Sequence, residues 1–378
     1  MRNARGHRTT KAARRSITSP DELIHIIFHE LRTPLSSIHG YVSLLLSGEL
    51  GPLPQQQRET VERLRELTIY LTVLLTNLRQ LALLGDEAAL MAWEPVDVSQ
   101  LVRSVCRDLD VEAKRKEVRL ALQLSDSLPP LWAERNGLTQ VLINLVMNAI
   151  KFTPERGTVT VAVRGSKGAV RLTVRDTGVG VDPDVLPKLF REFHHQDRPE
   201  VGAVGGTGFG LVIVKRSVDR HRGSVSMRSR VGRGSTVEVV LPKHSDQQIV
   251  HMVLEQMIQW SRQQHEPFVV VLVKADGMGA ERLGQILKES VRGDDRYFPI
   301  HDKSLGLIVA RTNLKGASLI AERISQRVER DPILTRPQSF KPRLGIAAYP
   351  THGKEVAQLL KAARRRMAPL PTGLAAAG

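Results

Sequence analysis

The chain has 378 residues, 41% of them apolar and 25% charged, with a formal net charge of +16 and a single cysteine, Cys106. That length has room for two or three domains with ordinary hydrophobic cores. The lone cysteine excludes an internal disulfide framework, no apolar run approaches a membrane span, and the basic start lacks the apolar stretch of a signal peptide.

These features predict a cytosolic protein whose stimulus arrives from a partner, such as an upstream soluble sensor. The basic balance suits nucleic acid, anionic lipid or an acidic protein. Only 4% of residues are aromatic, so platforms for stacking bases are scarce. No helix-turn-helix or zinc spacing stands out, and specific nucleic-acid binding is not expected.

Residues 1–19 are basic and expected to be disordered. Ser19 ahead of Pro20, Asp21 and Glu22 is a helix start, with proline and acids in the first turn. Leu23, Ile27, Leu31, Leu35, Ile38, Val42 and Leu45 then recur at spacings of three and four, which draws one apolar stripe. Residues 47–54 are a turn by composition. Leu64, Leu67, Leu71, Leu74, Leu78 and Leu81 form a heptad seam on a second helix. One hairpin over residues 20–84 cannot bury both seams, so two chains are expected to pair as a four-helix bundle.

Residues 85–94 are the expected linker. Beyond it, residues 95–243 alternate helical and strand patterns: helices at 98–110 and 138–152, and strands at 118–124, 158–163, 170–174, 224–228 and 236–241. This is the pattern of an α/β sandwich. Residues 246–367 repeat the α/β style, with helices at 247–264, 279–291 and 315–330 and strands at 268–273, 305–310 and 344–348. Residues 368–378 are an expected disordered tail.

The chemistry begins at Phe28-His29-Glu30-Leu31-Arg32-Thr33-Pro34. His29 falls midway between Ile27 and Leu31 of the stripe, so at 3.6 residues per turn it faces away from the packed side. A histidine that attacks phosphorus needs one ring nitrogen free and the other held by an acceptor. Glu30 can accept from the ring or take its proton. Pro34 removes the amide that would bond the Glu30 carbonyl, which loosens the helix just after the histidine.

Further segments suit a nucleotide. Asn144, Asn148 and Lys151 stand four and three residues apart on one helix face. Amides within so apolar a helix need partners, and hydrated magnesium with phosphates would supply them. Asp176-Thr177-Gly178-Val179-Gly180 follows a strand. Its carboxylate can accept from the adenine amino group, while Gly178 and Gly180 let backbone approach the base. Gly205-Gly206-Thr207-Gly208-Phe209-Gly210-Leu211 opens a helix, and its bare amides suit phosphate.

With these segments in this order, residues 20–243 resemble the catalytic core of a bacterial sensor histidine kinase. The resemblance implies a dimerising helical hairpin, followed by an ATP-binding sandwich with a lid at about 194–207 and a phenylalanine box at Phe190 and Phe193. It implies that His29 takes the γ-phosphoryl group of ATP, that Glu30 orients or deprotonates it, and that Thr33 helps place a water that removes phosphate from a partner regulator. It assigns Mg²⁺ to Asn148 with Asn144, phosphate to Lys151, adenine to Asp176, and the nucleotide loops to Gly178, Gly180, Gly206, Gly208, Gly210 and Leu211. The partner it implies is the receiver domain of a response regulator. The related chaperone and topoisomerase ATPases carry a water-activating glutamate where this chain has Asn144, which argues against hydrolysis as the main reaction.

Residues 246–367 resemble a GGDEF domain, the family that makes cyclic di-GMP. The resemblance rests on residues 291–295, 305–310, Gly316-Ala317 and 344–350. The signature loop aligns with His301-Asp302-Lys303-Ser304-Leu305, without its glycines and most of its acids. The metal-holding strand aspartate aligns with Lys274, although Asp276 remains. A lysine cannot serve two-metal chemistry, so no cyclase activity is expected from this degenerate domain. Arg292 and Asp295 stand where related domains bind cyclic di-GMP as an inhibitor. A receptor and a structural Arg–Asp pair on a docking or dimerisation domain both remain open. The alternative for the whole chain is a catalytically weak, kinase-derived scaffold.

Overall fold

A helical hairpin opens the described part of the chain. The structure is a computed structural model that describes residues 20–85, 91–125, 128–190, 209–275, 280–291, 295–300, 305–329 and 342–369. The expected arm (1–19), the lid (194–207) with Phe193, and Gly206, Gly208 and Arg292 lie outside the described residues. So do Asp276, residues 301–304, most of the linker and nearly all of the tail. The chain divides into two compact units, one holding the hairpin with, among the described residues, Phe190 and 209–213, and the other the rest of the α/β domains.

Helices α1 (Pro20–Ser47) and α2 (Gln55–Gly85) pack along each other. Gly48 (φ +80°) and Gly51 (φ +105°) supply the left-handed backbone that closes the turn, and the Gly51 amide bonds the Gly48 carbonyl at 3.0 Å. Helix α1 runs unbroken through Pro34. Proline deletes one amide, and the turns on either side carry the helix across. Val42 is buried, whereas Leu31, Ile38, Leu64, Leu67 and Leu71 are exposed in the single chain.

The second unit begins with β1 (Trp93–Val96) and α3 (Val98–Arg115), whose Asp97 side chain caps the helix by accepting from the Gln100 amide. Then follow β2 (Arg119–Leu124), β3 (Leu131–Glu134), α4 (Arg135–Phe152), β4 (Thr158–Gly165) and β5 (Ala169–Asp176). Helix α5 (Gly210–Arg220), β6 (Ser224–Arg230) and β7 (Gly234–Pro242) complete this domain. The five-stranded sheet runs β2-β4-β5-β7-β6, with β2 and β4 parallel and the other pairs antiparallel. On β4, Val159, Val161 and Val163 are buried, as are Val170, Leu172 and Val174 on β5. Their partners in the alternation stay open, as one covered face requires. Strands β1 and β3 form a separate antiparallel ribbon.

The third domain contains α6 (Asp246–Gln264), β8 (Phe268–Lys274), α7 (Ala280–Ser290), β9 (Arg296–Ile300), β10 (Leu305–Ala310), α8 (Leu314–Glu329), β11 (Arg343–Tyr349), α9 (Val356–Arg365) and β12 (Ala368–Pro369). Its sheet is antiparallel throughout, in the order β12-β11-β8-β10-β9. Central β8 is buried on both faces from Phe268 to Val273. Residues of α6 and α9 share a core on one side of it, and those of α7 and α8 on the other.

The ribbon joins the two α/β domains. Met91, Trp93 and Trp132 lie in the same hydrophobic cluster as Ile249, Val253 and Phe298. The Trp132 indole donates to Asp246 Oδ1 at 2.7 Å and stands 6.2 Å from the Phe298 ring. His221 is buried beside this joint, its ring 5.5 Å from Trp93. The Glu134 amide donates to His221 Nε2 at 3.0 Å, so Nδ1 carries the proton and donates to the Ser217 carbonyl at 2.6 Å. Burial, first of all, pushes the His221 pKa down to about 4.

Candidate nucleotide and phosphoacceptor sites

The C-terminal end of α4 and the end of β5 meet in one corner of the α/β unit. The Val179 amide donates to the Phe152 carbonyl at 3.1 Å, which ties the Asp176–Gly180 loop to α4. A Cβ at Gly178 would lie 2.4 Å from that same carbonyl oxygen, so no larger residue fits without displacing backbone. Gly180 has φ +70°, and a Cβ there would lie 2.1 Å from the Arg230 carbonyl. The Gly178–Val179 segment thus lies against the end of α4, the helix that also carries Asn144, Asn148 and Lys151.

Asp176 Oδ1 accepts from the Gly178 amide at 2.8 Å and the Ser235 amide at 3.0 Å. Both bonds end on one oxygen, which leaves Oδ2 for a further donor. Burial raises the Asp176 pKa, and the Gly178 and Ser235 amides work against that rise. Asn144 Nδ2 is buried without a hydrogen-bond partner. A buried amide donor in that condition calls for an acceptor, and phosphate or metal-bound water is one. Lys151 is half-buried, its Nζ 5.2 Å from the Phe152 ring centroid. Burial lowers its pKa first, and neighbouring Lys116 lowers it further. An anion would relieve both effects.

Among the described residues no group of three or more His, Cys, Asp or Glu could hold a metal. A magnesium ion here would rest on the Asn144 and Asn148 carboxamide oxygens and on nucleotide phosphates, an oxygen set that suits it. The residues present therefore fit ATP with Mg²⁺.

Several contributors escape sequence reading. Lys116 Nζ donates to the Ile150 carbonyl at 3.0 Å and also to that of Lys151, a cation at the negative end of α4. Ser235 reaches Asp176 only because β7 lies beside β5. A Cβ at Gly234 (φ +84°) would lie 2.1 Å from the Asp176 carbonyl. These partners are remote in sequence, so no local pattern announces them.

Gly210 and Leu211 begin α5, while Gly206 and Gly208 fall outside the described residues. His29, Glu30 and Thr33 follow one another on α1 of the hairpin unit, with Glu30 and Thr33 exposed; the His29 side chain lies outside the described residues. In the third domain, Lys274 ends β8 in register with Leu305 and Arg343, and Asp295 immediately precedes β9.

Family models match all three domains in order. The His Kinase A (phospho-acceptor) domain matches residues 21–87. The histidine kinase-, DNA gyrase B-, and HSP90-like ATPase matches residues 133–245, and the diguanylate cyclase GGDEF domain matches residues 281–370. The circadian input-output histidine kinase CikA of Synechococcus elongatus is 33% identical over 226 residues, covering 59% of this chain and 30% of that protein. The histidine protein kinase DivJ of Caulobacter vibrioides is 35% identical over 218 residues, covering 57% and 36%. The matched regions are thus about a third of the length of these relatives. The crystal structure of full-length ShkA in complex with AMPPNP is 29% identical with a TM-score of 0.48, covering 64% of this chain and 54% of that one. Among the described residues no helix is long and apolar enough to cross a membrane. The chain thus carries a His Kinase A (phospho-acceptor) domain, an ATPase domain of the histidine kinase type and a GGDEF domain, in that order, and its matched relatives are histidine kinases.

Proposed function

We propose that this chain is an ATP-dependent protein-histidine kinase of a two-component pathway, acting as a dimer in the cytosol. The observation that carries the reading is the loop after Asp176 tied to the end of α4, with a buried Asn144 amide on that helix and a carboxylate oxygen of Asp176 left for a ligand. Asp176 Oδ2 accepts from adenine, and Lys151 and Asn144 donate to phosphate. Asn148, with Asn144, holds Mg²⁺, which neutralises phosphate charge when bound. The resemblance assigns phosphate binding to Gly206, Gly208, Gly210 and Leu211, of which Gly210 and Leu211 begin α5.

His29 attacks the γ-phosphorus. An N–P bond forms, the bond from phosphorus to the ADP oxygen breaks, and Glu30 takes the imidazole proton. The phosphoryl group then passes to an aspartate of a response regulator receiver domain. Thr33 places the water that later removes it from that regulator. The exposed leucines on α1 and α2 support dimerisation, because a second hairpin would cover them. Cytosolic placement rests on the single buried cysteine, which suits a reducing compartment.

The third domain acts without cyclase chemistry, since a lysine closes β8 where a metal-binding carboxylate is required. Arg292 with Asp295 is its candidate cyclic di-GMP contact, and titration with that nucleotide tests it. Residues 20–84, 95–243 and 246–367 are the three working parts of this reading.

Incubation with Mg²⁺ and γ-labelled ATP, wild type beside His29→Ala, is the decisive experiment. Acid-labile, base-stable label that is absent from the variant is expected. Label persisting in His29→Ala would reject His29 as nucleophile. No label on ATP-binding wild type would favour the scaffold alternative.

A further inference from the structure

The open face of the ATPase-domain sheet carries a strongly basic array of charge. Arg164 on β4 pairs directly with Arg171 on β5. Arg175 on β5 stands in line with Thr236 on β7 and, beyond it, Arg228 on β6. Arg119 on β2 and Arg230 on β6 extend the same face. All six arginines are exposed. The one acid of this face among the described residues is Glu238, which pairs with Arg171. Arg119, Arg164, Arg175, Arg228 and Arg230 have no carboxylate partner among the described residues.

This array costs stability, because like charges directly opposite on neighbouring strands repel. It serves no end in the nucleotide corner, which lies on other side chains. Every cation of the face is arginine and none is lysine, and the planar fork of arginine suits bidentate capture of carboxylates. Small neutral side chains such as Thr160, Thr173 and Ser226 separate the arginines, so the surface is flat and the guanidinium groups stand clear of it.

We infer that this face docks an acidic protein surface. Its cations lie in rows: Arg164 with Arg171 and Arg175 with Arg228 are roughly 14 Å apart along the strands, and Arg119 and Arg230 lie one step beyond the latter. The row between the first two holds no cation and contains Glu238. A continuous phosphate ribbon crossing the face would meet that carboxylate. A protein partner sets separate carboxylates over the arginines on either side and avoids it. The face also lacks the aromatic residues that stack exposed bases.

The test uses the full chain with two fluorescent probes at physiological salt, poly-L-glutamate and a random-sequence 20-base-pair duplex, read by anisotropy. The open-face variant is Arg119→Ala with Arg164→Ala and Arg228→Ala. The control removes exposed cations of α9 in the third domain: Lys361→Ala, Arg364→Ala and Arg365→Ala. Poly-L-glutamate binding is expected to weaken about tenfold in the open-face variant and less than about twofold in the control, as follows from removing several exposed ion pairs at once. The open-face variant should melt no lower than wild type, since a repulsion has been removed. Equal weakening in both variants would overturn the inference, as would no binding by wild type. Tighter binding of the duplex that depends on the same arginines would overturn it in favour of nucleic acid.

Discussion

The ATPase-type and GGDEF domains are both built on five-stranded sheets, and they differ most in the residues that end a key strand. In the first, β5 ends in Asp176, a buried carboxylate held by two amides on one oxygen, beside glycines whose missing side chains keep the corner open. In the second, β8 ends in Lys274, between Leu305 and Arg343. The second domain still buries apolar side chains on both sides of its sheet. A fold therefore survives on its buried pattern alone, while chemistry depends on a few strand-end residues that the core does not constrain.

Trp132 sits where the two domains meet, and its removal tests their independence most severely. Trp132→Ala deletes a buried indole and its bond to Asp246, and should cost about 3–5 kcal/mol. Urea unfolding followed separately in each domain should show both transitions moving. A shift confined to the ATPase-type domain would mean that the two domains are energetically independent.

His221 adds a pH dependence on the ATPase-type side of the joint. Its folded pKa lies near 4, below the ordinary histidine value of 6.5, so the unfolded chain binds the extra proton. Its stabilising contribution is present above pH 6.5 and is lost as pH falls towards 4, by about 3 kcal/mol at most. His221→Gln keeps an acceptor for the Glu134 amide and should flatten that slope in denaturation curves taken across this window. An unchanged slope would assign the acid sensitivity elsewhere.

A direct contrast of the strand ends comes third. Asp176→Asn removes the charge from the proposed adenine acceptor and should weaken binding of a fluorescent ATP analogue by roughly ten- to a hundredfold, about 1.5–3 kcal/mol. Lys274→Ala should leave that affinity unchanged, and equal losses would erase the functional difference between the two ends. The smallest effect belongs to Arg164→Thr, which relieves the Arg164–Arg171 repulsion and should stabilise the protein by up to about 0.5 kcal/mol in thermal unfolding.

Much of the molecule is legible in the chain because the signals are local. The stripe from Leu23 to Leu45 foretells α1, and the glycine-rich turn foretells the hairpin. The alternating valines of β4 and β5 mark their buried face. Strand β9 escapes the pattern because Pro299 interrupts it, and an edge strand tolerates that where a central one does not. The ribbon of β1 and β3 escapes it because Trp93 and Glu94 fall in the expected linker and each strand is only four residues long. Helix α9 is absent from the expected elements although Val356, Leu359, Ala362 and Ala363 have helical spacing.

The sequence by itself determined the order of domains, the residue types at the proposed phosphoacceptor and nucleotide positions, and the lysine that ends β8, since each is carried by neighbours along the chain. Only the tertiary structure decided that Ser235 holds Asp176, that Lys116 caps α4, that two tryptophans join the α/β domains, and that arginines from four strands share one open face. Each of those depends on strand order and register, which bring together residues far apart in sequence and leave no local periodicity to read.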